Sequence, residues 1–192
     1  MSKPKEIQIP GKDYFAWQYE EQTKVKHRVL GSYVKIWISK LGYKSNTLFF
    51  DCHGGCGAYV DDKNIVSFGS SILVKQIADK ISEKRSTKTG VFYCEKEKNT
   101  YENFVRIKNE LGNVKINTYN DSFENVILRP DISKYYNKFP TLFLVDPFGY
   151  SFDIEKLAVM MKGFGNEVIV NFMYDFITRF ISKNELKDSF NR

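Results

Sequence analysis

Four carboxylates follow apolar runs along this chain, and each is succeeded by a turn. Leu48-Phe49-Phe50-Asp51 leads into Cys52-His53-Gly54-Gly55-Cys56-Gly57. Val91-Phe92-Tyr93-Cys94 leads into Glu95-Lys96, the run ending at Tyr119 leads into Asn120-Asp121-Ser122-Phe123, and Leu142-Phe143-Leu144-Val145 leads into Asp146-Pro147-Phe148-Gly149. Glycine lets a backbone turn sharply and approach a ligand closely. An acid at a strand end beside such a turn can hold a charged or hydroxylated cofactor. A carboxylate at the next strand end can accept both protons of a ribose diol.

Taken singly, each signal also has a structural explanation. Asp51 suits a helix N-cap, and Glu95 belongs to the charge run Glu95-Lys96-Glu97-Lys98. Lys26 suits a solvated helix face and His53 a turn. Phe123 and Phe148 suit a core, and Asp146-Pro147 suits a turn. Four polar strand ends in series favour one binding crevice.

These residues need an α/β frame to bring them together. Apolar residues at helical spacing predict a helix over 24–41 (Val25, Val29, Tyr33, Ile36, Trp37, Leu41), closed by Gly42. Further helices are expected over 70–82 (Ile72, Leu73, Ile77, Ile81), 100–111 (Tyr101, Phe104, Ile107, Leu111), 154–161 and 173–181. Strands are expected at 48–52, 91–95, 114–119, 141–146 and 167–172. Alternating strands and helices imply βαβ units and a mostly parallel, doubly wound, Rossmann-like sheet with ligands at its carboxyl edge. Residues 1–22 read as a polar arm and 23–192 as one domain. The stretches 58–69 and 129–140 read as the longest loops.

Composition narrows the chemistry. The net charge of +6 and pI near 9.0 favour a polyanionic partner such as RNA or DNA. Lys63, Lys96, Lys98 and Lys138 flank the strand ends and are expected to form a positive rim. No apolar run approaches the ~20 residues of a membrane helix, and the first residues carry no secretory apolar region. Three cysteines, two of them in the glycine turn, fit a reducing cytoplasm better than a disulfide framework. Cys52, His53 and Cys56 lack a second Cys/His pair at ligand spacing, so no metal is expected. Asp51 and Glu95 stand more than twice as far apart as the ~20 residues of a dinucleotide fingerprint. The phosphate-loop motif Gly-x-x-x-x-Gly-Lys-[Ser/Thr] is absent from the sequence.

The ordered set of motifs resembles S-adenosylmethionine-dependent methyltransferases of the Rossmann type, and more narrowly the three-Cys-motif partner proteins. The resemblance rests on Lys26-His27-x-Val29-Leu30, Asp51-x-x-Gly54-Gly55-x-Gly57-x-Tyr59, Gly69-Ser70, Glu95 and Asp146-Pro147-Phe148-Gly149, and spans residues 24–180. The Asp51–Gly57 turn and Lys26-His27 are also similar to ribosomal-RNA adenine-N6 methyltransferases. Those enzymes usually carry Asp-Pro-Pro-Tyr where this chain has Asp-Pro-Phe-Gly. The family pattern usually adds a further strand pair, and often a C-terminal domain, beyond the fifth strand; this sequence stops soon after that strand, so a truncated or minimal member is expected.

The resemblance implies S-adenosylmethionine as cofactor. Asp51 and Gly54, Gly55 and Gly57 would hold its methionine moiety, with Lys26 and His53 adding positive or donor contacts to the carboxylate. Glu95 would take the ribose hydroxyls, Asp121 with Ser122 the adenine amine, and Phe123 the adenine face. Asp146 and the Pro147 carbonyl would receive the target nitrogen, with Phe148 or Tyr150 against the target base and Gly149 completing the motif. The implied activity is methyl transfer to nucleic acid, at adenine N6. The alternative is a non-catalytic subunit that binds a nucleotide or a partner protein, including a three-Cys-motif partner.

Overall fold

In the computed structural model, which describes residues 4–112, 114–147 and 154–171, the first described elements are strands rather than an arm. The order is β1 (Glu6–Gln8), β2 (Phe15–Gln18), α1 (Glu21–Leu41), β3 (Thr47–Asp51), β4 (Ala58–Val60), β5 (Val66–Phe68), α2 (Ser70–Ser82), β6 (Thr89–Cys94), α3 (Lys98–Glu110), β7 (Asn117–Tyr119), α4 (Phe123–Leu128), α5 (Pro130–Tyr136), β8 (Thr141–Val145), α6 (Ile154–Met161) and β9 (Glu167–Val170). The helix expected at 173–181 lies outside the described residues.

The fold class is α/β. One sheet is wholly parallel and runs β7-β6-β3-β8-β9. The chain builds outward from β3 through β6 to β7, then returns to lay β8 on the other side of β3. The order therefore reverses between β3 and β8, the place in parallel α/β sheets where ligands bind at the strands' carboxyl ends.

The central strands read as unbroken apolar runs because both faces are covered. Phe49, Val91, Tyr93, Leu142 and Leu144 join residues of α1, α2 and α3 in one core. Leu48, Phe50, Phe92, Phe143 and Val145 join residues of α4, α5 and α6 in the other. Phe50 and Phe92 stack nearly parallel, with ring centres 5.3 Å apart.

A second sheet, β1-β2-β4-β5, corrects two expectations. The segment read as a polar arm buries Phe15, Ala16 and Trp17. The segment 58–69, read as a loop, supplies the antiparallel pair β4 and β5. Asn103 of α3 fixes this sheet in place: fully buried, it accepts from the Phe15 amide (2.8 Å) and donates to the carbonyls of Phe15 and Cys56 (2.9 Å each). The loop expected at 129–140 contains α5, with Pro130 at its start, where a missing N–H costs nothing.

Helix α1 is in place but turned. Its buried side chains are His27, Leu30, Val34, Trp37 and Ile38, while Val25, Val29, Tyr33 and Ile36 face outward. Among the described residues no helix is long and apolar enough to cross a membrane.

Candidate functional site

Asp51 ends β3, at the point where the strand order reverses. Its side chain is wholly buried. One carboxylate oxygen, Oδ2, accepts from the hydroxyls of Ser70 (2.5 Å) and Ser71 (2.8 Å) at the start of α2. The other, Oδ1, has no hydrogen-bond partner among the described residues. Burial pushes the Asp51 pKa up, against the two serine bonds and the nearby Lys26 ammonium. A buried carboxylate oxygen without a donor calls for a specific explanation.

Lys26 reaches this cluster from α1. Its ammonium pairs with Asp146 Oδ2 at 2.5 Å, and both side chains are largely buried. Asp146 Oδ1 accepts from Asn171 Nδ2 at 2.6 Å, and the Asp146 amide points to His53 Nδ1 at 3.3 Å. Burial lowers the His53 pKa to about 4, so the imidazole is neutral at pH 7 and offers Nδ1 as an acceptor. With Nδ1 accepting, the neutral ring carries its proton on Nε2, so of the positive or donor contact expected of His53 the donor form is the one it can make. Lys26 is not a solvated lysine either.

His27 lies beside this cluster, its ring centre 5.2 Å from that of Tyr59. Its Nδ1 meets the Tyr19 hydroxyl at 3.0 Å, and its buried Nε2 has no partner among the described residues. Burial again lowers the pKa to about 4, with Lys26 adding to the effect.

The glycine turn is shaped by aromatic rings. A Cβ on Gly54 would enter the ring of Tyr93, and one on Gly57 would come 2.5 Å from Phe104 Cδ2. Gly55 and Gly57 have φ of 65° and 82°, the left-handed region. The turn's polar groups find protein partners: the Gly54 amide donates to the Cys94 carbonyl (2.9 Å), the Gly55 amide to Glu95 Oε2 (3.2 Å), and Tyr93 donates its hydroxyl to the Gly55 carbonyl (2.6 Å).

Glu95 is not part of a solvated run. Its Oε1 accepts from the Glu97 amide at 2.8 Å, and burial raises its pKa. Glu97 in turn caps α3, accepting from the amides of Asn99 and Thr100. The next strand end is tied to this one, because Asn120 donates Nδ2 to the Glu95 carbonyl at 2.9 Å.

Beyond Asn120 the expected adenine contacts change character. Asp121 Oδ1 accepts from the Ser122 amide (2.7 Å) and Asn125 Nδ2 (2.8 Å), and Ser122 caps α4. Phe123 is 2 % exposed and belongs to the core, its ring 5.0 Å from His53 at a steep angle. It presents no open face for a base, which corrects its expected stacking role. Phe148, Gly149 and Tyr150 lie outside the described residues, and Pro147 is buried.

The structure thus gathers Lys26, Asp51, His53, Gly54, Gly55, Gly57, Glu95 and Asp146 around three adjacent strand ends. Sequence reasoning passed over Ser71, Tyr93, Asn103 and Asn171, whose roles depend on partners far along the chain. Ser70 and Ser71 directly follow Gly69 at a helix start, which was the one local signal available. Of the four lysines expected as a rim, Lys98 pairs with Glu102 at 3.8 Å. Lys138 precedes β8 and stands at the opposite, amino-terminal edge of the sheet. The free cysteines Cys52, Cys56 and Cys94 are all buried. Burial pushes the Cys56 thiol up to about 12, which suits packing rather than nucleophilic chemistry. No protein-family model matches the chain, and no curated protein matches it significantly.

Proposed function

We propose that this chain is a Rossmann-like S-adenosylmethionine-dependent methyltransferase that acts on nucleic acid at adenine N6. The observation that carries the reading is Asp51 Oδ1, a buried carboxylate oxygen without a donor among the described residues, at the strand-order reversal. A cationic ligand group such as the cofactor's ammonium would satisfy it. Ser70 and Ser71 hold the carboxylate so that only this oxygen remains for a ligand. Glu95, already ordered by two backbone amides, keeps lone pairs for ribose hydroxyls.

The bound cofactor supplies an electrophilic methyl group on its sulfonium. The chain's task is then to orient the acceptor nitrogen and take up charge from its hydrogens. Asp146 is suited to this, because Lys26 and Asn171 fix both of its oxygens and each oxygen retains a lone pair. The net charge of +6 supports a polyanionic substrate.

A second reading, a non-catalytic subunit that binds a nucleotide or a partner protein, draws on the same carboxylate. Both Asp146 oxygens are engaged by protein donors, as a purely structural anchor would be. Transfer of a tritiated methyl group to mixed RNA and DNA separates the two. The enzyme reading expects transfer by the wild type and a loss of about 10²-fold or more in Asp146→Asn, with cofactor affinity retained. A wild type that binds cofactor and labels no nucleic acid supports the subunit reading instead.

A further inference from the structure

We infer that a cleft at the opposite edge of the parallel sheet, near the amino ends of β3, β6 and β7, is a second binding site and takes a nucleotide. The chemistry recognised is a planar base joined to a phosphate. The inference stands independently of the cofactor site.

The cleft follows from how the chain crosses from β7 to β8. The crossover is two short helices, α4 of six residues and α5 of seven, broken at Arg129-Pro130. α5 turns Ile132 and Tyr136 inward, and the Tyr136 ring meets Phe143 of β8 edge-on at 5.7 Å. The amino half of β6 and β7 is left as the floor of an open cleft of about 440 Å³. That volume lies within the ordinary range of small-molecule sites, roughly 300–1,000 Å³.

Its walls suit a flat ring. Buried Phe92 backs the cleft, with Tyr119 nearly parallel to it, 9° apart with centres at 6.4 Å and the Arg129 guanidinium 5.4 Å from the Tyr119 ring centre; Tyr135, 6.3 Å from Phe92 at 45°, supplies the exposed ring. Tyr135 is 41 % exposed, so its ring is open to a ligand. Gly90 contributes only backbone to the floor. Aromatic faces stack on any base.

Its charges suit an anion. Lys88 and Lys134 line the cleft, and neither has an ion-pair partner among the described residues. The Lys134 ammonium sits 5.1 Å from the Tyr135 ring centre. Asp131, the one acid in the lining, is already held by Arg129 through Nε (3.1 Å) and Nη2 (3.0 Å). Lys138, whose ammonium lies 5.4 Å from the Phe139 ring, adds a third cation at the same edge. Asn46 and Asn117 each use one end of the amide internally, Asn46 Oδ1 on the Lys88 amide and Asn117 Nδ2 on the Val91 carbonyl. A donor and an acceptor remain for the edge of a base.

The test titrates the full chain with AMP, adenosine, inorganic phosphate and a six-residue oligoadenylate by calorimetry. AMP is expected to bind at least 10-fold more tightly than adenosine or phosphate alone. Tyr135→Ala and Lys134→Glu, both at exposed positions, are each expected to weaken AMP at least 10-fold while circular dichroism stays unchanged. Excess S-adenosylhomocysteine is expected to leave AMP bound. Oligoadenylate that competes with AMP at equal or lower concentration identifies the source as single-stranded nucleic acid, and failure to compete identifies a free nucleotide. The assignment is overturned if neither AMP nor oligoadenylate binds at millimolar concentration, if both variants bind as wild type does, or if S-adenosylhomocysteine displaces AMP.

Discussion

Lys26 and Asp146, 120 residues apart in the chain, form an ion pair at 2.5 Å that ties helix α1 to the end of strand β8. The side chains are 18 % and 17 % exposed, so neither charge is well hydrated on its own. Removing one partner leaves the other largely buried and unpaired. Lys26→Met is therefore expected to cost about 3 kcal/mol of unfolding free energy. The double variant Lys26→Met/Asp146→Asn should recover a good part of that loss. Urea unfolding of both singles and the double gives the coupling directly.

The two buried histidines set an acid limit on stability. His27 and His53 have folded-state pKa values of about 4 against an ordinary 6.5. The unfolded chain binds protons that the folded chain refuses, so their contribution is complete above pH 6.5 and is lost as pH falls toward 4. Each is worth about 3 kcal/mol over that window. Asp51 and Glu95 run the other way. Their raised pKa values mean that the fold keeps protons the unfolded chain releases, so stability falls as pH rises past 3.8 and 4.5 respectively. Urea midpoints between pH 4 and 7 should climb overall, and His27→Gln or His53→Gln should each flatten the climb. An unchanged profile in both variants would place the titration elsewhere.

Gly54 is required by packing. A side chain there collides with Tyr93, which is fully buried and stacks on Phe104 with ring centres 3.7 Å apart. Neither ring has room to yield. Gly54→Ala is expected to cost about 3 kcal/mol, by thermal or urea unfolding. Gly112→Ala supplies the contrast, since nothing lies within 4 Å of its Cβ position and only its φ of 70° opposes the change. Its cost should be about 1 kcal/mol.

The sheet was legible where burial is two-sided. Leu48–Phe50, Val91–Cys94 and Leu142–Val145 are covered on both faces and so carry continuous apolar runs that cannot be mistaken for loop. The three-residue strands at Glu6–Gln8 and Ala58–Val60 are too short to show a period, and residues 1–22 consequently read as an arm. On α1 two apolar stripes interleave. Val25, Val29, Tyr33 and Ile36 match helical spacing as well as Leu30, Val34, Trp37 and Ile38 do, and only packing against α2 and the sheet decides between them. At the site, the acids were visible because type and position coincide at strand ends. What Gly54, Gly57 and Phe123 do was not visible, because it depends on Tyr93, Phe104 and His53, which no local pattern connects to them. Phe123 also follows its helix cap directly, a place where core and surface aromatics look alike in sequence.

Asp51 Oδ1, without a donor among the described residues, is expected to receive a cationic cofactor group. Calorimetric titration of wild type and Asp51→Asn with S-adenosylhomocysteine tests it most directly, because the ligand carries the ammonium, the ribose and the adenine without the reactive methyl. Asp51→Asn keeps the side chain's shape and leaves an amide oxygen to accept from Ser70 and Ser71, so it should fold, as thermal melting at pH 7 checks. Wild type is expected to bind with micromolar affinity and Asp51→Asn at least 10-fold more weakly, a difference of about 1.4 kcal/mol. Folded wild type that gives no heat at millimolar ligand, or Asp51→Asn that binds as tightly as wild type, would contradict the account.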